Sequence, residues 1–206
     1  RAVALVADIE AMLAAAGDVN QDGFEDMLIT GGQVAYLLYG QAAAYDGPLN
    51  ANNPVGANVA ELIVNSGFNS PVSGLGDFNG DGVADFTVGD PGVNFGAIGS
   101  GGAYVVYGDP GTPIDQLTLS SLGASDAARF GGGVVESATL YRGLGEVGDM
   151  NGDGYEDLLF SAYNAFSNNA HGVAYVAFGR SDQPGTVPAA NLDGNNGFSF
   201  NNPNVN

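Results

Sequence analysis

Cysteine and tryptophan are absent from the chain, histidine occurs once, and lysine plus arginine number four against 23 acids. Without cysteine there are no thiolate ligands, which argues against zinc or copper centres and against cysteine-bridged calcium arrays. With a net charge of −19, nucleic acid and anionic membrane surfaces are not expected as partners. No apolar run approaches the length of a membrane span, so membrane insertion is not expected. No signal peptide is visible, and a chain starting on Arg1 rather than Met reads as processed or cut from something longer.

What the chain has instead is glycine, 34 residues of it, with β-branched and aromatic residues gathered in short runs. That composition is all-β with many turns. At 206 residues the chain is long enough for one domain with a core.

One pattern occurs three times: Gly-Asp-x-Asn-x-Asp-Gly-x-x-Asp followed by an apolar run, beginning at Gly17, Gly76 and Gly148. Counted from the first Asp, oxygen-bearing side chains fall at places 1, 3, 5 and 9. They are Asp18, Asn20, Asp22 and Asp26; Asp77, Asn79, Asp81 and Asp85; Asp149, Asn151, Asp153 and Asp157. Three carboxylates so close repel one another unless a cation sits between them. Calcium suits an all-oxygen set, with the backbone carbonyl at place 7 (Phe24, Val83, Tyr155) as a further ligand. Magnesium tolerates so crowded an all-protein cage poorly. Three Ca2+ sites are therefore expected, with Gly23, Gly82 and Gly154 turning the loop at place 6 through positive φ. Even with three ions bound, the chain would keep a charge of about −13.

These loops are not EF-hands. An EF-hand needs an acid at place 12 and flanking helices, whereas place 12 here is Ile29, Val88 or Phe160 within strand-like runs. Asp, Asn and Gly also suit ordinary turns, but three copies with one acid spacing favour an ion. Residues 2–16 have high helix propensity; their place before the first loop matches strand-like segments before the other two, so strand is expected there.

After each loop comes a second repeated element ending in an aromatic and Gly: Ala35-Tyr36 to Tyr39-Gly40, Ala103-Tyr104 to Tyr107-Gly108, and Ala174-Tyr175 to Phe178-Gly179. It reads as a strand buried on both faces and closed by a tight turn, with Tyr36, Tyr104 and Tyr175 in packing roles. The loops recur about every sixty to seventy residues, a period that indicates a propeller or related array. The units divide as 1–40, 41–108 and 109–179, with 180–206 a spacer or the start of a further repeat.

With Gly89-Asp90-Pro91 after the second loop and Phe130-Gly131 ahead of the third, the chain resembles the FG-GAP repeats of integrin α-chain β-propellers and their bacterial secreted, adhesin-like relatives. The resemblance implies three four-stranded antiparallel blades, each with a calcium loop between neighbouring strands, forming a partial propeller or part of a larger ring. It departs from that pattern at Thr30-Gly31-Gly32 and Ser161-Ala162-Tyr163, where Gly-Ala-Pro is usual, and in having too few repeats for a ring. Further blades are expected from missing sequence or from another chain.

Beyond the loops little chemistry is visible. Gly143-Leu-Gly-Glu-Val-Gly148 matches a dinucleotide fingerprint, but a loop and not a helix follows it. His171 has no cysteine or nucleophilic serine motif to partner it, and Glu25 and Glu156 read as outward-facing neighbours of the ion sites. No catalytic residue is assigned. The expected protein is a non-enzymatic, calcium-stabilised scaffold at the cell surface or outside the cell, binding a protein or glycan. The alternatives are a self-associating filament or sheath subunit and a non-catalytic part of a larger extracellular enzyme.

Overall fold

The computed structural model describes residues 12–31, 34–43, 58–64, 70–93, 95, 101–111, 116–131, 139–163 and 172–200. Among them are fourteen strands, two single-turn 3-10 segments and no α-helix. The described end of the helix-prone first segment is strand: Met12–Gly17 pairs with the run after the first loop. Cross-strand pairing has overridden local propensity there.

Three sheets form, of five, five and four strands, each containing a four-stranded antiparallel set. The first contains β1 (Met12–Gly17), β2 (Asp26–Gly31), β3 (Val34–Leu38) and β4 (Val59–Ile63). The second contains β5 (Val72–Gly76), β6 (Asp85–Asp90), β7 (Gly102–Val106) and, as its outer strand, β9 (Ala127–Gly131). Between β7 and β9 the chain reaches back as β8 (Gln116–Thr118), which runs parallel to β4 on the first sheet. The third sheet contains β10 (Thr139–Glu146), β11 (Leu158–Tyr163), β12 (Val173–Ala177) and β14 (Gly197–Phe200). On the way to β14, β13 (Thr186–Pro188) lies parallel on β9. Each unit thus closes on a strand that comes after its Tyr-containing strand, and a short strand from the next unit ties it to its predecessor. Phe130-Gly131 belongs to the outer strand of the second sheet.

The first strands of successive sheets lie against one another, β1 on β5 and β5 on β10. The approach is close: a side chain at Gly74 would put its Cβ 2.5 Å from the Ala15 carbonyl oxygen. The three sheets stand in sequence without closing a ring.

Strand periodicity explains why the middle sheet is apolar on both sides. Along β7 and just beyond it, Tyr104 and Val106 enter the core shared with the first sheet, while Val105 and Tyr107 enter the one shared with the third. Every residue of β6 and β7 is buried. The first interface packs Leu28, Leu37 and Leu62 against Phe86, Val88 and Tyr104. The second is aromatic: Phe78 meets Phe130 edge-on at 5.9 Å, Phe130 lies 5.9 Å from Phe160, and Phe160 stacks on Tyr175 at 5.1 Å. Tyr36, Tyr104 and Tyr175 are all buried.

Candidate metal loops and the junctions between them

The first two loops are each entered through an irregularity in the preceding strand. The register of β1 on β2 shifts between Ala15 and Gly17, and that of β5 on β6 between Gly74 and Gly76. The residues stepped over, Ala16 and Leu75, drop into the core, and Gly17 and Gly76 then adopt positive φ to start the loop. The turn glycines Gly23, Gly82 and Gly154 have φ of 91°, 85° and 94°, as their place in the pattern requires.

Within the loops the same hydrogen bonds recur. Asp77 accepts the N–H groups of Gly80, Asp81 and Gly82 at 2.7–3.0 Å. Asp149 accepts those of Gly152, Asp153 and Gly154, and Asp18 those of Asp22 and Gly23. The fifth-place acids Asp22, Asp81 and Asp153 accept the N–H of Phe24, Val83 and Tyr155. Asn20, Asn79 and Asn151 accept the N–H of the fifth-place residue and donate their amide to its carboxylate.

The ninth-place acids behave differently. Asp26, Asp85 and Asp157 are buried, at 2%, 0% and 0% exposure, and each holds two distant pieces of chain. One oxygen accepts the second-place N–H of its own loop, from Val19, Phe78 or Met150. The other accepts the N–H of the glycine that ends the Tyr-containing element: Gly40 at 2.7 Å, Gly108 at 2.9 Å, Gly179 at 3.0 Å. Those three glycines are places of close approach. A Cβ on them would lie 2.4–2.5 Å from the carbonyl oxygen of Glu25, Ala84 or Glu156. The sequence marks the glycines but not the carboxylate that each one serves.

Successive loops also touch. The Val19 carbonyl accepts the Asp109 N–H at 3.0 Å, and the Phe78 carbonyl accepts the Arg180 N–H at 2.9 Å. Gln21 donates its amide to the Gly82 carbonyl, and the Tyr155 ring occupies the space that a side chain on Gly80 would need. Glu156 is half-buried at the junction with the second unit, its stem against Gly76. Its Oε2 has no hydrogen-bond partner among the described residues, so it is not the outward-facing side chain expected from sequence. Glu25 is exposed.

Electrostatically the loops are strained by their own charge. Burial pushes the Asp85 carboxyl up to about 7, and Asp81 nearby adds to the rise, against hydrogen bonds from Gly108, Phe78 and Asn79 that oppose it. Burial likewise raises Asp26 and Asp157, with the other acids of their loops adding to it. Among the described residues the only ion pair is Arg180 with Asp182, so no base neutralises a loop carboxylate. No three Asp, Glu, His or Cys side chains among them converge on one point at metal-binding distance; the carboxylates fold back onto backbone N–H groups instead. The donors are all hard oxygens, the ligand type that calcium takes. Among the ninth-place acids Asp85 keeps the least capacity for an ion, since three N–H groups already occupy its oxygens against two for Asp26 and for Asp157.

A cleft of about 530 Å³ opens between the first and second units, edged by Asn20, Asp81, Asp109 and Asp126 and floored by Leu37 and Leu117. Asp126 is engaged with the Gly123 N–H and the Ser125 hydroxyl. The Gly143–Gly148 stretch runs along the end of β10 into the third loop, with no helix after it, and His171 lies outside the described residues.

The fold and site together define an all-β repeat protein whose units are joined through acidic loops. No family model matches the chain. It is similar to integrin alpha-PS2 of Drosophila melanogaster, 31% identical over 173 residues, a match covering 73% of this chain and 11% of that protein. The chain thus spans about a ninth of the length of that relative.

Proposed function

We propose that the chain is a calcium-stabilised module of the FG-GAP type, three propeller blades that serve as a rigid binding scaffold outside the cell. The observation that carries this reading is the threefold recurrence of one acidic loop with one hydrogen-bond set. The similarity to an integrin α chain supports both the blade architecture and the extracellular setting, where calcium is abundant enough for loops of modest affinity.

In this reading Asp18, Asn20, Asp22 and the Phe24 carbonyl hold one ion. Asp77, Asn79, Asp81 and the Val83 carbonyl hold the second, and Asp149, Asn151, Asp153 and the Tyr155 carbonyl the third. Asp26, Asp85 and Asp157 close each site from the buried side while fastening it to the strand end. A bound ion supplies positive charge where carboxylates repel, so binding free energy adds to folding free energy. The outer surface stays acidic and the core stays packed, leaving loop edges and clefts to meet a protein or glycan partner.

Thermal unfolding in calcium, in magnesium and in chelator tests the proposal. Calcium at a hundredfold excess over its dissociation constant adds about 2.7 kcal/mol per site, a rise in melting temperature that magnesium does not reproduce. Identical melting in calcium and chelator would refute it.

A further inference from the structure

We propose that the cleft between the first and second units is a binding site for a compact organic cation, an amine or guanidinium carried on a flat apolar body. Its volume of about 530 Å³ falls within the range of small-molecule sites, about 300–1,000 Å³. Leu37, Phe86, Leu117 and Leu122 make an apolar floor, and Tyr39 adds a second aromatic wall. Asn20, Asp81, Asp109 and Asp126 edge it, with no Lys, Arg or His beside them among the described residues. The floor suits a hydrophobic body, and the acidic edge and aromatic walls suit a positive head. The cleft lies between two units of the chain, so its form is independent of where the chain begins or ends.

The junction of the second and third units is built otherwise at the same place. There the second place of the loop is Phe78, 0% exposed and edge-on to Phe130. At the first junction Val19 stands in that place, and Leu62 lies opposite Ala35 as Phe130 lies opposite Ala103. Aliphatic groups replace two rings, and the cleft opens beside Val19. Charge differs as well. The residue after the close-approach glycine is Arg180 at the second junction, paired with Asp182, but Asp109 at the first. The Asp109 carboxylate is exposed and has no hydrogen-bond or ion-pair partner among the described residues. Asp126 is held in place by the Gly123 N–H and the Ser125 hydroxyl. The first junction is thus hollow and negative where the second is filled and carries its own ion pair.

Asp109 and Asp126 belong to none of the three acidic loops, so the site stands apart from the identity of any loop ion. Cation binding at the cleft can fail while calcium still raises the melting temperature, and the reverse.

The chain contains no tryptophan, so an added indole, excited beyond the tyrosine band, reports on the site by its own fluorescence. Trace tryptamine is titrated with the full chain up to about 1 mM at physiological salt, in calcium and in chelator, beside neutral tryptophol and anionic indole-3-propionate. Tryptamine should bind saturably in both conditions, with a Kd of about 0.1–1 mM, and the other two indoles about tenfold more weakly or less well still. Two substitutions borrow the residues of the second junction. Val19→Phe fills the cleft, and Asp109→Arg puts a base on its edge; each should weaken tryptamine about tenfold. Asp109→Arg alters an exposed side chain and should leave the melting temperature unchanged, so it carries the test even if the ring at position 19 lowers stability. No saturable binding of tryptamine, tryptophol binding as tightly as tryptamine, or an Asp109→Arg variant that binds tryptamine like the parent overturns the proposal.

Discussion

The Asp85 carboxylate accepts the Gly108 N–H at 2.9 Å, joining an acidic loop to a strand end 23 residues further along the chain. With its other oxygen on the Phe78 and Asn79 N–H groups, one buried side chain fixes where the loop starts and where β7 ends. Asp26 with Gly40 and Asp157 with Gly179 repeat the arrangement.

Two acids of the second loop should therefore respond differently to removal. Asp85→Ala strands three N–H donors and should cost about 3 kcal/mol or more, in chelator as in calcium. Asp81→Ala touches an exposed side chain and should cost under about 1 kcal/mol in chelator, its larger effect showing only in calcium. Urea unfolding of both variants in both conditions separates the roles; equal losses in chelator would contradict them.

Glycines divide along the same line. Gly108→Ala brings a Cβ to 2.4 Å from the Ala84 carbonyl oxygen and within 2.9 Å of the Val19 carbonyl oxygen, and overpacking against backbone should cost about 3 kcal/mol. Gly82→Ala meets nothing within 4 Å and bears only the cost of its positive φ, about 1–2 kcal/mol. Paired melting curves check the order of the two losses.

The aromatic core between the second and third units gives a third expectation. Phe130 is 2% exposed and touches both Phe78 and Phe160. Phe130→Ala should cost about 3–5 kcal/mol, read from the urea midpoint. A loss below about 1 kcal/mol would show that these sheets do not pack as described.

Much of this was legible beforehand, because the signals are local. Acid spacing located the three loops, place 6 located the positive-φ glycines, and the repeated Ala-Tyr element ending in an aromatic and Gly placed Tyr36, Tyr104 and Tyr175 in packed strands. Non-local pairing was not legible. Gln116–Thr118 and Thr186–Pro188 carry no strand pattern of their own, and only the edges of β4 and β9 make them strands. Gly40, Gly108 and Gly179 read as turn residues, yet their constraint is a carbonyl from the preceding hairpin. Glu156 reads as a solvated neighbour of its loop, yet the adjoining unit half-buries it.

Calcium stoichiometry by isothermal titration calorimetry, on protein first stripped with chelator, tests the central claim most directly. The account predicts three ions per chain, falling to two when Asp153→Ala removes a ligand from the third loop. No saturable uptake by the parent chain, or an unchanged count in the variant, would contradict it.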